Sequence, residues 1–187
     1  MPNPTIIENT LEKKCLICFA KKVSNILTLP LPKLVYDSTK TELATYFPAE
    51  DTIVLNNQVP KSHLFFAVSH ELRHQWQMLN NFEFFFSDYK ELDECNSPLE
   101  YDLQIAEVDA NAFAKLIIMA LFDITASYKH SAFYERIINK RMDEILDELS
   151  IIQKRIIFND FIEDVPPIRI IYHCKKYGTV KVKKRKW

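Results

Sequence analysis

One run of this 187-residue chain has both the residue types and the spacing for chemistry: His70-Glu71-Leu72-Arg73-His74, an H-E-x-x-H. On a helix, residues i and i+4 share a face one turn apart, so both imidazoles can reach a single ion. Glu71 is rotated by about 100° from His70, which suits a carboxylate that serves a water beside the ion rather than the ion itself. The pattern points to a division of labour. Two neutral imidazoles hold Zn2+, the ion acidifies a water, and Glu71 takes the proton as general base.

A catalytic zinc usually takes three protein ligands. The positions three and six residues after His74 hold Gln77 and Asn80, which are not ligands of the required type. A glutamate on a downstream helix is the other source, and Glu107 is the preferred third ligand. Asn111 shares its face at i+4 and can hydrogen-bond a ligand from behind. Asp109, rotated by about 200°, should point away. A donor for the oxyanion is also expected, and Tyr101, Tyr128, His130, Tyr172 and His173 all remain candidates. His63 is expected at the surface.

The elements that must position these residues read as α+β: mainly helical, with a small sheet before the H-E-x-x-H helix. Ile7, Leu11, Cys15, Cys18, Phe19, Val23 and Ile26 have helical spacing and predict a helix from residue 5 to about 27. It should end before Leu29-Pro30-Leu31-Pro32. Three short β-type runs follow, Leu34 to Asp37, Leu43 to Phe47 and Thr52 to Asn56. The metal helix opens at Pro60 and Ser62 and should stop near Leu79, at Asn80-Asn81. Residues 82 to 96 are aromatic and acidic, read as a loop over the core or a rim of a cleft. Ser97-Pro98-Leu99-Glu100 has a capping serine, proline at the first helical position and glutamate two residues on, and predicts a helix reaching about Phe122. A long amphipathic stretch, Ser131 to about Phe161, places Phe133, Ile137, Ile138, Ile145, Leu149, Ile152 and Ile156 on one side, with room for a break. Ile168 to His173 reads as a short strand.

Hydrophobic residues make up 48% and charged residues 26% of the chain, ordinary for one globular domain. That domain should span residues 1–174, with the metal core at about 34–122, a helical part at about 123–174, and a basic tail at 175–187. The net charge of −1 hides two opposite patches. Eight acids and one base lie between Asp88 and Asp109, and seven bases without an acid lie from Lys175 to Trp187. Cys15-x-x-Cys18 lacks a second pair at zinc-ribbon spacing and is expected to be two buried, reduced thiols. No signal peptide is expected at Met1-Pro2-Asn3-Pro4 and no apolar run approaches ~18 residues, which predicts a cytoplasmic protein without a membrane partner.

Three blocks give the chain a resemblance to the ImmA/IrrE-type metallopeptidases, a zincin-like family. Thr52-Ile53-Val54-Leu55-Asn56 is similar to the family's edge strand ending in asparagine. The H-E-x-x-H helix from Ser69 is the second block. Glu107-x-x-Ala110-Asn111-x-Phe113-Ala114, followed by Ile117-Ile118-Met119, resembles the family's E-x-x-A-N-x-F-A-x-x-L-L-M. The resemblance implies zinc held by His70, His74 and Glu107, with Glu71 as base. It further implies cleavage of a protein such as a helix-turn-helix repressor, in a phage, mobile-element or stress-response setting. Arg73 replaces the family's usual glycine, where it could narrow the cleft or read an acidic substrate. Ala120 replaces its usual proline, so the helix should run on. Two alternatives differ in class: a zincin-like binding protein with little turnover, and a nucleic-acid-associated protein using the tail from Lys175 to Trp187.

Overall fold

A computed structural model describes residues 5–6, 11–122, 132–160, 173–174 and 178–179. The chain is α+β. Thr5–Ile6 forms a strand, β1, where periodicity predicted the first turn of a helix. The helix itself, α1, spans Leu11–Leu27 and buries Cys15, Leu16, Phe19, Ala20, Val23, Ile26 and Leu27. Cys18 falls roughly 130° from the middle of that stripe and is exposed, so only Cys15 is the buried thiol expected of both. The helix ends on Thr28 at φ 58°. Leu29 N–H reaches the Ser24 carbonyl at 2.9 Å and Thr28 N–H the Asn25 carbonyl at 3.2 Å, a Schellman ending usually built on glycine.

Strands β2 (Lys33–Asp37), β3 (Ala44–Phe47) and β4 (Thr52–Asn56) lie on the three β-type runs, within a residue at their starts. Their sheet has the order β1-β2-β4-β3, with β2 and β4 parallel and the other pairs antiparallel. β4, which the family resemblance casts as an edge, is therefore internal, and the edge is β3. Ala44 pairs with Leu55 and Tyr46 with Ile53. Asn56 N–H donates to the Leu43 carbonyl, which puts the bonded pairs at 43/56, 45/54 and 47/52. The backbones of Ala44 and Tyr46 therefore face outward, away from β4.

α2 (Lys61–Phe86) runs through the centre, packed on α1 and on the sheet. Asn81 leaves helical geometry, at φ −157° and ψ 57°, and Asn80 Nδ2 donates back to the Trp76 carbonyl at 2.9 Å. The predicted stop is thus a kink, after which the aromatic run continues as helix to Phe86. The next predicted helix is two. α3 (Pro98–Asp102) starts on the Ser97 cap, with Ser97 Oγ accepting from Glu100 N–H at 3.1 Å, and α4 (Ile105–Phe122) follows after a turn at Leu103–Gln104. Gln104 holds the backbone of Lys90 from both sides, accepting from its N–H at 2.7 Å and donating to its carbonyl at 2.9 Å. That clamp explains the break.

α5 (Ala132–Glu148) packs on α4 and buries Tyr134, Ile138 and Ile145. The break in the last amphipathic stretch falls at Leu149–Ser150, where Ser150 and Gln153 cap each other at the start of α6 (Ile151–Arg155). A π-helical turn, Ile156–Asp160, follows. Phe133 and Ile152, expected on the buried side, are exposed. A two-residue ladder, β5 (His173–Cys174) on β6 (Gly178–Thr179), crosses the expected start of the tail. The core joins Phe19, Val23 and Ile26 to Ile53, Leu55, Leu64, Val68, Leu72, Phe113 and Ile117, with Ile138 and Ile145 behind. No helix among the described residues is long and apolar enough to cross a membrane.

Candidate metal centre

α2 is buried on nearly all sides from Leu64 to Gln77, so the polar groups it carries must find partners within the protein. His70 and His74 project from adjacent turns with their Nε2 atoms 2.9 Å apart. Glu107, in the first turn of α4, completes the group. Its Oε2 is 3.3 Å from His70 Nε2 and its Oε1 3.4 Å from His74 Nε2. Ligand atoms on a tetrahedral zinc lie about 3.3–3.4 Å apart when each bond is about 2.0–2.1 Å, so each carboxylate oxygen already stands at that spacing from one histidine. The structure thus brings together the three residues that could hold a metal ion.

The partners behind the histidines decide which atoms face inward. His74 Nδ1 lies 2.8 Å from Gln77 Oε1, and Gln77 Nε2 donates to the Ala106 carbonyl at 2.9 Å and to Asp109 Oδ2 at 2.7 Å. With its amide nitrogen committed to two pure acceptors, Gln77 can only accept from His74, which places the ring proton on Nδ1. His70 Nδ1 lies 3.1 Å from Asn111 Oδ1, and Asn111 Nδ2 donates to the Tyr134 hydroxyl at 3.1 Å. Both histidines therefore present a lone pair at Nε2 to each other and to a carboxylate. Two bare ring nitrogens facing each other and a carboxylate, with no donor between them, call for a cation. Without one, a proton takes its place. Burial opposes this, but the Glu107 and Glu71 carboxylates push His74 up to about 9. In turn His70 and His74 hold the Glu107 carboxyl well below the usual range against the effect of its own burial.

Glu71 faces another way. Its Oε2 accepts from the outward N–H of Tyr46 at 2.8 Å, so the edge strand holds one oxygen, and the charge of the carboxylate is felt at His74. Arg73, expected to line the cleft, is buried instead. Its Nε and NH2 donate to Asp109 at 2.7 and 3.1 Å, and its guanidinium lies 3.9 Å from the Trp76 ring centroid. Asp109 does point away from the histidines, as predicted, and also accepts from Arg141 of α5 at 2.8 Å. Arg73 and Arg141, with Gln77, hold its carboxyl below the ordinary range although burial works against them.

Of the candidate oxyanion donors, Tyr101 is in the site, its hydroxyl 2.9 Å from Glu107 Oε1. On an unbroken helix residues six apart are about 120° apart around the axis, so this meeting depends on the turn at Leu103–Gln104. Tyr128, His130 and Tyr172 lie outside the described residues, and of His173 only the strand backbone is described. His63 is half-buried rather than at the surface, and burial lowers its pKa. The sequence reading missed Gln77 as a partner, although its i+3 spacing from His74 was a usable signal. It also missed Tyr89, Tyr134 and Arg141, for which no local spacing speaks. No family model, curated protein or solved structure matches the chain.

Proposed function

We propose that this chain is a zinc-dependent metallo-endopeptidase of the ImmA/IrrE type, with a zincin-like domain. His70, His74 and Glu107 would hold the zinc, and Asn111 would steady His70 from behind. One observation carries the reading. Two histidines with their Nδ1 protons committed to amide oxygens turn bare Nε2 lone pairs toward a buried carboxylate, and an H-E-x-x-H glutamate stands beside them. When bound, zinc supplies Lewis acidity, polarising a carbonyl and making water a nucleophile near neutral pH. The other roles belong to the chain. Glu71 Oε1 takes the proton of the attacking water and returns it to the leaving amine, while Tyr46 N–H keeps the carboxylate from rotating. On the outward edge of β3, the Ala44 backbone and the Tyr46 carbonyl offer an extended peptide a strand to pair with, while the Tyr46 N–H stays on Glu71, which favours a protein substrate.

A helix-turn-helix repressor is the substrate class implied by the resemblance, and a folded repressor would have to present an extended segment to β3. Elemental analysis tests the metal: about one zinc per wild-type chain is expected, with loss of zinc in His74→Ala. Equal zinc in both would move the site elsewhere.

A further inference from the structure

Glu107 Oε1, the Tyr89 hydroxyl and the Tyr101 hydroxyl form a triangle. Tyr89 lies 2.8 Å and Tyr101 2.9 Å from the carboxylate oxygen, and the two hydroxyls are 2.7 Å apart. All three edges have hydrogen-bond length, yet near neutral pH an ionised carboxylate and two phenols hold two protons. One edge is therefore always oxygen against oxygen with nothing between. If both phenols donate to Glu107, their own oxygens repel. If they donate in series, one phenol faces the carboxylate without a proton. A partly buried contact of that kind is unfavourable, and it is relieved once one phenol finds another acceptor.

We propose that Tyr101 is that phenol, and that it donates its proton to the oxyanion forming on the scissile carbonyl while Tyr89 stays on Glu107. Tyr89 is held in place. Its ring packs edge-on against Phe86 at 5.3 Å, and Phe86 lies 6.2 Å from His74. Tyr101 reaches Glu107 from α3, across the turn at Leu103–Gln104, and its ring meets that of Tyr89 edge-on at 6.0 Å. A donor there meets negative charge that develops only during reaction. Tyr101 is then a catalytic residue and Tyr89 a positioning residue.

This rests on the metallopeptidase reading, but the test does not need turnover. The probe is acetohydroxamate, a small anion that chelates zinc, titrated into zinc-loaded protein by calorimetry. Tyr101→Phe should keep its zinc, because Tyr89 still donates to Glu107, and bind the probe about 10- to 100-fold more weakly, the worth of a hydrogen bond to a charged group. Tyr89→Phe should lose more zinc affinity than probe affinity. With fluorescein-labelled casein, Tyr101→Phe should lower kcat with KM little changed. Unchanged probe affinity in Tyr101→Phe would overturn the assignment, as would loss of its zinc. A wild type that binds zinc and probe but cleaves no protein would end the peptidase reading and with it the catalytic role of Tyr101, while weaker probe binding by Tyr101→Phe would still mark this phenol as the donor to an anion at the metal.

Discussion

At Glu71 the two carboxylate oxygens have different work, since one is fixed by Tyr46 N–H. Glu71→Gln keeps an acceptor for that N–H and removes the proton acceptor. It should therefore fold and bind zinc like wild type while losing nearly all proteolysis, and comparable casein cleavage by the mutant would show that Glu71 is not the base. Gln77 permits a sharper test of the tautomer argument. Gln77→Leu removes the acceptor of the His74 Nδ1 proton and should weaken zinc binding by roughly 10–100-fold, measured by competition with a chelator. Unchanged affinity would mean that the ring needs no such support. Asn111 was legible in the sequence because it lies one helical turn from Glu107. Gln77 was legible in principle, but it was weighed only as a ligand. Tyr89 was not legible, because its contact with Glu107 spans 18 positions and depends on where two other segments turn.

Elements were read well where one period governs them and poorly where side chains intervene. The β runs follow residue type between turn signals, and the buried stripe of α1 follows helical spacing. The breaks at Asn81, Leu103–Gln104 and Leu149–Ser150 depend on side-chain bonds to backbone, by Asn80, Gln104 and the Ser150–Gln153 pair. Asn80-Asn81 showed as a stop, whereas nothing in the spacing marks Gln104 as a clamp on Lys90. The tie between α2, α4 and α5 is also hidden from local pattern, because Arg73, Asp109 and Arg141 lie far apart in the chain. Asp109→Ala would leave Arg73 buried without its partner. Breaking a buried pair in that way costs about 3–5 kcal/mol, or roughly 6–20 °C in Tm for a domain of this size. A thermal melt of the variant checks it, and a shift below about 3 °C would show that the cluster adds little.

For the whole molecule, the His70–His74–Glu107 group makes stability vary with pH. His74 is raised to about 9 by Glu107 against its burial, so its contribution is fully present below about 6.5 and is lost as pH rises through about 9. Glu107 is lowered, so its contribution is present above about 4.5 and is lost only as pH falls through its depressed value. Chelator-treated protein should therefore be more stable at pH 6 than at pH 9, and the gain in Tm on adding zinc should grow over the same range, because protons and metal compete for the same atoms. Equal stability of the metal-free protein at both values would show that His74 holds no extra proton. α5 stands behind both histidines, with Tyr134 on Asn111 and Arg141 on Asp109. Binding free energies are reciprocal, so whatever factor the docked α5 adds to zinc affinity, zinc must add to the docking of α5. Hydrogen exchange of the α5 amides should slow on zinc addition, and loosening the helix by Arg141→Met should weaken zinc binding. On that footing the helix is a thermodynamic gauge of whether the centre is filled, one that a partner touching only the surface of α5 could read.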